Sequence, residues 1–254
     1  MLEAIERVEV KSLKAACVEE LERLIISGRM PIGSAVPPER DLAERLGASR
    51  PVVHEAMVEL ASKGFVRVEP RKGAVVNDFY RHGTLAILET IVVHNGGEFP
   101  PDALADVLAF RLLIETETAR LAAVRRGAGF LDALRDIVRR ETSLDAGPAG
   151  SASLDTTAEL DFEFHLVVAE ASGSVVYPLL VNSFRPLYRS LIRRFYSALG
   201  KAREPASGDR LPPGSSAPVL AYHRRAIDAI AEGAAEDAAA VMREMLEHGE
   251  RLLA

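Results

Sequence analysis

Apolar residues return every three or four positions between Lys11 and Ser27, at Leu13, Ala16, Cys17, Leu21, Leu24 and Ile25, which predicts an amphipathic helix. Gly28 stops it in a C-cap position, and Arg29-Met30-Pro31-Ile32-Gly33 reads as a turn-forming connector. A second helix is predicted from about Glu39 to Leu46, with Leu42, Ala43 and Leu46 inward and Gly47 closing it. Ser49 is a good N-cap for a third helix, whose inward face is Val53, Ala56, Met57 and Leu60 and which Gly64 ends. There the period changes. Phe65-Val66-Arg67-Val68 and Ala74-Val75-Val76 predict two short strands, with Glu69-Pro70-Arg71-Lys72-Gly73 as the hairpin tip. Asn77 to Gly83 is a turn-rich connector.

From Thr84 onward helical periodicity dominates, with helices predicted near 84–94, 101–125, 130–143, 153–171, 175–198, 218–232 and 235–252. Pro178 and Pro186 should start or kink the fifth of these, and Gly200 to Pro218 reads as a long loop. The pattern therefore predicts a mainly α protein. A winged helix-turn-helix domain occupies residues 1–80, and an antiparallel bundle of about seven helices occupies 81–254.

Composition changes this picture little. The 254 residues are 48% hydrophobic and 27% charged, enough to bury real cores. The single cysteine, Cys17, excludes an internal disulfide and a cysteine-based zinc finger, and its place in an apolar pattern predicts a buried, inert thiol. Acids stand where a signal peptide has its apolar core, and no long uncharged run could span a bilayer, so the expectation is a cytoplasmic protein without a membrane partner.

The net charge of −6 does not advertise a nucleic-acid binder, and residues 1–80 carry 12 Lys/Arg against 13 Asp/Glu. DNA binding must rest on where the positive charges stand. Arg40, Arg45, Arg50, Arg71 and Lys72 fall at the start and end of one helix, the start of the next and the wing, where such a module meets phosphates and the major groove. Arg50 can reach guanine with its planar fork, and Val52 can touch a thymine methyl. The same arginines could instead be solvated surface charge paired with Asp41 and Glu44.

Three features of the second half could carry chemistry. In Asp161-Phe162-Glu163-Phe164-His165 the acid and the imidazole are four apart and share one helix face. His223 stands at the start of the sixth predicted helix, and Arg111 lies near the apolar side of a long helix with Glu115 one turn on. An acid and two histidines suit a first-row metal, although a D-x-x-x-H pair is by itself more often a helix-surface hydrogen bond.

The stretch from Gly28 to Val76 resembles the N-terminal domain of GntR-type bacterial transcription regulators, through P-x-E-R-x-L-A-x-x-L-G at Pro37–Gly47, S-R-x-x-V-x-E-A at Ser49–Ala56 and the wing. The resemblance implies DNA contact by Arg40, Arg50 and the wing tip around Arg71, and the DNA-binding set is taken as Arg40, Ser49, Arg50, Pro51, Val52, His54, Arg71 and Lys72. His54 stands where the family usually has arginine, Pro38 replaces a capping serine, and Pro51-Val52 supplies no hydroxyl. The second half resembles the FCD ligand-binding domain of the FadR-type branch, through R-L-L-I-E at Arg111–Glu115, D-F-E-F-H at Asp161–His165, the turn at Ala169–Gly173 and the helix from His223 to Gly233.

That resemblance implies an effector site at Arg111, Asp161, His165 and His223, and a divalent metal (zinc, nickel or manganese) on Asp161, His165, His223 and a further histidine. The family spacing puts Met245 at that last position, and His248 lies one turn on, displaced about 4–5 Å along the axis. Three outcomes stay open: a three-residue site completed by water or ligand, substitution by His248, or no metal. Ser174 also departs from the Asn that commonly follows the glycine. The implied function is a ligand-responsive regulator, a repressor, that binds a pseudo-palindromic operator as a homodimer and answers to a small organic, hydroxy- or sugar acid. The alternative is a metal-dependent enzyme acting on such an acid. Against it, the chain has no G-x-S-x-G elbow, H-E-x-x-H helix or Walker-type glycine loop, and it is read as a non-enzyme.

Overall fold

Ser12 opens the first helix by accepting a hydrogen bond from the Ala15 amide at 3.2 Å, and α1 then runs Leu13–Ile26 with Cys17, Val18, Leu21 and Ile25 buried. The computed structural model describes residues 12–69, 73–95, 98–125, 127–145, 154–199 and 217–253. It divides into two compact units, Met1–Glu98 and Phe99–Ala254.

In the first unit α2 (Glu39–Leu46) and α3 (Arg50–Lys63) form the helix-turn-helix, and Gly47 at φ 63° makes the turn between them. Pro38 sits at the N-cap of α2, where its carbonyl accepts the Asp41 and Leu42 amides. It needs no N–H there and supplies no side-chain cap. Strands β1 (Val66–Glu69) and β2 (Gly73–Val76) pair antiparallel, Val66 opposite Val76 and Glu69 opposite Gly73. The wing gains a third piece of extended chain that the periodicity missed. Ala35 bridges Val75, and the Val36 amide donates to the Ala74 carbonyl. The core joins Leu21, Val53, Ala56, Leu60, Phe65 and Val76, all nearly inaccessible.

The connector Asn77–Gly83 is more ordered than a turn. It contains the one-turn helix α4 (Phe79–His82), and Phe79 is buried against Phe65 at 5.4 Å between ring centroids. The Asn77 amide nitrogen donates to the Gly64 carbonyl, and the Thr84 amide donates to Lys63. A Cβ on Gly64 would lie 2.7 Å from the Gly83 Cα, so this close approach needs glycine at 64. The following helix α5 (Ala86–His94) also belongs to the first unit: Ile87 joins its core, and His94 Nε2 lies 3.4 Å from the buried Glu22. The break between units thus falls after Glu98 and not near residue 80.

The second unit holds seven helices among the described residues, though not the expected seven. They are α6 (Pro101–Arg125), α7 (Ala128–Asp145), α8 (Leu154–Ala171), α9 (Val176–Ser183), α10 (Arg185–Leu199), α11 (Ala217–Glu232) and α12 (Ala235–Leu253). Helix α5 has left for the first unit, and the expected helix 175–198 is two. It breaks at Phe184, and Pro178 and Pro186 each sit in a first turn, where a missing N–H costs nothing. The Phe184 ring stacks on Phe110 at 4.5 Å, which pins the break to α6. The Ser174 hydroxyl accepts the Val176 amide at 3.1 Å, opening α9 in place of asparagine. Of the expected loop, residues 200–216 lie outside the described residues.

Helix α8 is the centre of this unit and packs against α6, α7, α9 and α10. Its buried residues cover a broad face, from Thr157 and Leu160 through Phe162, Phe164, Val168 and Ala169. Asp155, Glu159, Glu163 and Glu170 keep the opposite side of α8 in solvent, whereas Asp161 and His165 fall on the covered side and are turned into protein.

Candidate functional site

Asp161 and His165 lie one turn apart on α8, and α11 brings in His223, which is fully buried. The Phe164 ring stacks on the His223 imidazole at 3.7 Å and 16°, fixing its plane. His165 Nε2 lies 3.9 Å from Asp161 Oδ2, and His223 Nε2 lies 4.0 Å from Asp161 Oδ1. One donor atom from each of the three residues falls within 4.8 Å of the others. The structure thus brings together three of the four residues expected to hold a metal.

The far side of each imidazole meets a carboxylate. His165 Nδ1 is 2.6 Å from Glu115 Oε2 on α6, and His223 Nδ1 is 2.9 Å from Glu141 Oε2 on α7. With Nδ1 engaged this way, Nε2 is the nitrogen presented to the shared space. Tyr196 completes the surround by donating to Asp161 Oδ1 at 3.1 Å.

Arg111 lines the same cavity as Asp161 and His165 and is tied to protein groups there. Its Nε and Nη2 donate to the two Glu115 oxygens at 2.7 and 3.4 Å, and Nη2 also donates to the Tyr188 hydroxyl at 2.5 Å. The guanidinium further lies over the Tyr188 ring, 4.1 Å from its centroid. The fork on which a ligand carboxylate would dock already holds a carboxylate of the protein. Arg111 thus holds Glu115, whose Oε2 in turn meets His165 Nδ1.

Burial shapes the electrostatics of this cluster. It is the largest influence on Glu115 and favours the neutral acid, yet Arg111 and His165 outweigh it and hold the carboxyl down to about 2. Burial likewise works against a charged His223, but Glu141 and then Asp161 overcome it and raise that imidazole above its ordinary value. Burial pushes Tyr188 and Tyr196 well up, so both remain hydroxyl donors. Three buried acids, Glu115, Glu141 and Asp161, surround one guanidinium and two imidazoles.

On α12 the residue that faces this site is Met245. Gly249, one turn on, lines the same space, whereas His248 lies round the helix against the Phe195 and Tyr222 rings at 6.5 and 5.9 Å. Substitution by His248 is thereby set aside, because the 245–249 face of α12 and not position 248 points inward. The cavity beside the cluster is only about 30 Å³. Arg111, Asp161 and His165 form its polar end, and Leu191, Ile192, Phe195, Val219, Met245 and Leu246 wall much of the rest.

In the first unit Arg50 is exposed at the first residue of α3 and has no acid partner among the described residues. Arg40 projects into solvent with a 3.1 Å contact to Asp41. Ser49 holds the N-cap backbone conformation, but its hydroxyl makes no capping bond and stays exposed beside Arg50. Pro51 is exposed in the first turn, while Val52 is half-buried against the core, which limits its reach to a base. His54 is paired: its Nδ1 lies 2.8 Å from Glu39. Arg71 and Lys72, at the wing tip, lie outside the described residues.

These two sites match known families. The family described as "Bacterial regulatory proteins, gntR family" matches residues 13–76, and the FCD domain matches 106–248. The chain belongs to the GntR family. Its second half is an FCD domain, so it is a DNA-binding, ligand-responsive transcription regulator. The HTH-type transcriptional regulator Mce2R of Mycobacterium tuberculosis is 31% identical over 82% of this chain and 83% of its own length. A fatty acid metabolism regulator protein of Shewanella putrefaciens is 35% identical, with 71% of each chain covered. Among solved structures, E. coli McbR/YncC shares the fold at a TM-score of 0.52 and 15% identity, covering 96% of this chain and 98% of its own. No helix among the described residues of this GntR regulator is long and apolar enough to cross a membrane.

Sequence reasoning missed Glu141, Tyr188 and Tyr196. Glu141 stands 82 positions before His223, and no local spacing announces that pairing. Glu115 was visible only as the residue one turn after Arg111.

Proposed function

We propose that this regulator holds a divalent metal on Asp161, His165 and His223 and senses a small carboxylate there. In this reading it binds a pseudo-palindromic operator as a homodimer and acts as a repressor. The observation that carries the sensor reading is that two buried atoms of the cluster have no hydrogen-bond partner: Asp161 Oδ2, 3.9 Å from His165 Nε2, and His223 Nε2, 4.0 Å from Asp161 Oδ1. Leaving such atoms unpaired costs about 1–3 kcal/mol each, and a cation between them would remove that cost.

The donor set fits: two imidazoles and one carboxylate suit zinc, nickel or manganese. When bound, the metal supplies a Lewis-acid centre on which an effector carboxylate can dock. Glu115 and Glu141 orient the two imidazoles, Arg111 anchors Glu115, and Tyr196 orients Asp161. Met245 offers only a thioether, a poor ligand for these metals, so water or effector would have to complete the site. The apolar wall shifts the preferred effector from a hydroxy- or sugar acid to a carboxylate with a compact apolar body.

Arg40, Ser49 and Arg50, with Arg71 and Lys72 of the wing tip, are proposed to carry the DNA contact. Because Asn77–Gly83 is packed on the DNA-binding module, the pivot between sensor and module is proposed at the Glu98–Phe99 junction. Gel-shift selection on random duplexes at moderate salt tests the DNA reading. A two-fold symmetric site released by a small apolar acid is the expected result, and binding without sequence preference would contradict it.

A further inference from the structure

Helix α3 buries Val53, Ala56, Met57 and Leu60, so its outward face lies on the opposite side, at Pro51, His54, Glu55 and Val58, all exposed. In a helix-turn-helix the first residues of this second helix meet the base edges of the major groove. Arg50 brings a guanidinium there, and Ser49 keeps an exposed hydroxyl that caps nothing. Val52 is half-buried against the core, and His54 is held by Glu39 at 2.8 Å. Pro51 differs from all of these. Its side chain has no donor or acceptor and its backbone has no N–H, so its outward side can bond neither a base nor a phosphate. The ring fixes its own backbone angle, and holding it against a partner costs little conformational entropy. Val58 continues the apolar face, but two turns on, about 10 Å further from the end that enters the groove.

We propose that Pro51 reads the C5-methyl group of a pyrimidine beside the guanine that Arg50 meets. The proposal deepens the DNA reading above, from which it takes the placement of α3. In the major groove the base edges present donors and acceptors, and the one apolar group among them is the thymine methyl at C5. A proline ring pressed on a polar edge strips it of water and returns no hydrogen bond, which works against an unmethylated base. 5-Methylcytosine carries the same methyl at the same ring position. Pro51 cannot tell the cytosine N4 amino group from the thymine O4, because it has nothing to bond with either. The position is therefore selective for the methyl and indifferent to the pyrimidine that carries it. Cytosine methylation at this step of the operator would tighten binding. A serine or threonine in place of Pro51 would bring a hydroxyl that bonds donors and acceptors alike, and the selectivity would go.

The test uses the full chain and the duplex obtained by selection, in which the guanine met by Arg50 is the one whose preference relaxes in R50A. The pyrimidine of each base pair flanking that guanine is built in turn as uracil, thymine, cytosine or 5-methylcytosine, with the matching purine opposite. Affinity is read by fluorescence anisotropy at one salt concentration. At one of these pairs thymine should bind about 4-fold tighter than uracil, and 5-methylcytosine about 4-fold tighter than cytosine, as covering one methyl group provides. In P51S both ratios should fall to about one while the guanine preference set by Arg50 remains. Equal affinity for methylated and unmethylated pyrimidines at every flanking pair would overturn the assignment, and this wild-type series decides it even where P51S folds poorly. Methyl ratios in P51S equal to those of wild type would also overturn it, since another group would then touch the methyl. Selection that yields no preferred duplex would overturn the DNA reading and this assignment together.

Discussion

Glu141→Gln is the sharpest perturbation of the sensor site, because it changes one charge and almost no volume. Glu141 is buried on α7, and its Oε2 lies 2.9 Å from His223 Nδ1. The amide oxygen of glutamine can still accept that hydrogen bond, but without the negative charge. A charge-assisted bond contributes about 1.5–3 kcal/mol and a neutral one about 0.5–1.5, so the imidazole loses roughly 1–2 kcal/mol of support. If His223 is a ligand, the same loss passes to the metal, since removing such a supporting carboxylate typically weakens binding 10–100-fold. The fold should survive, because the Phe164 ring still stacks on His223 and the variant removes a buried charge. Titration calorimetry of metal-free protein with zinc and with manganese reads the effect directly. Wild-type affinity in E141Q, with the wild-type melting curve, would refute the view that Glu141 works through His223.

Other changes test other parts. Phe164→Ala empties a fully buried ring site and should cost about 3–5 kcal/mol in urea unfolding, with metal affinity falling as His223 loses its stacking partner. Asn77→Ala removes the link from the wing base to the Gly64 carbonyl and should destabilise the first unit by about 1–3 kcal/mol, visible in chemical denaturation. Arg50→Ala should cost about 1–3 kcal/mol on the operator and relax preference at one base, whereas Arg40→Ala should weaken all duplexes alike and lower the salt slope by about one. His54→Arg should tighten binding and raise that slope, because a longer, always-charged side chain that can reach past Glu39 replaces the imidazole.

The parts of the molecule that were legible in the sequence are those set by local rules. Helix α2 runs Glu39–Leu46 as its apolar spacing and Gly47 required, and Gly64 ends α3 at φ 88°. The triad was legible because Asp161 and His165 share a helix face and His223 opens a periodic stretch. What stayed hidden depends on contacts between distant segments. Nothing local says that α5 packs with α1, that Ala35 joins the wing, or that Glu141 meets His223. Arg111 was visible as an arginine on an apolar face, but only packing decides whether its fork faces a ligand or Glu115. Position 245 shows the same divide: the sequence names methionine, and the turn of α12 shows that His248 does not take its place.

The central claim is that Asp161, His165 and His223 form a metal site without a fourth protein ligand. Elemental analysis after dialysis against zinc, nickel or manganese, run on wild type beside D161A and H223A, tests it most directly. The account predicts about one metal ion per chain in wild type, removed by chelator with a fall in melting temperature, and retained by neither variant. A wild-type chain that holds no stoichiometric metal, or a D161A variant that holds as much as wild type, would contradict it.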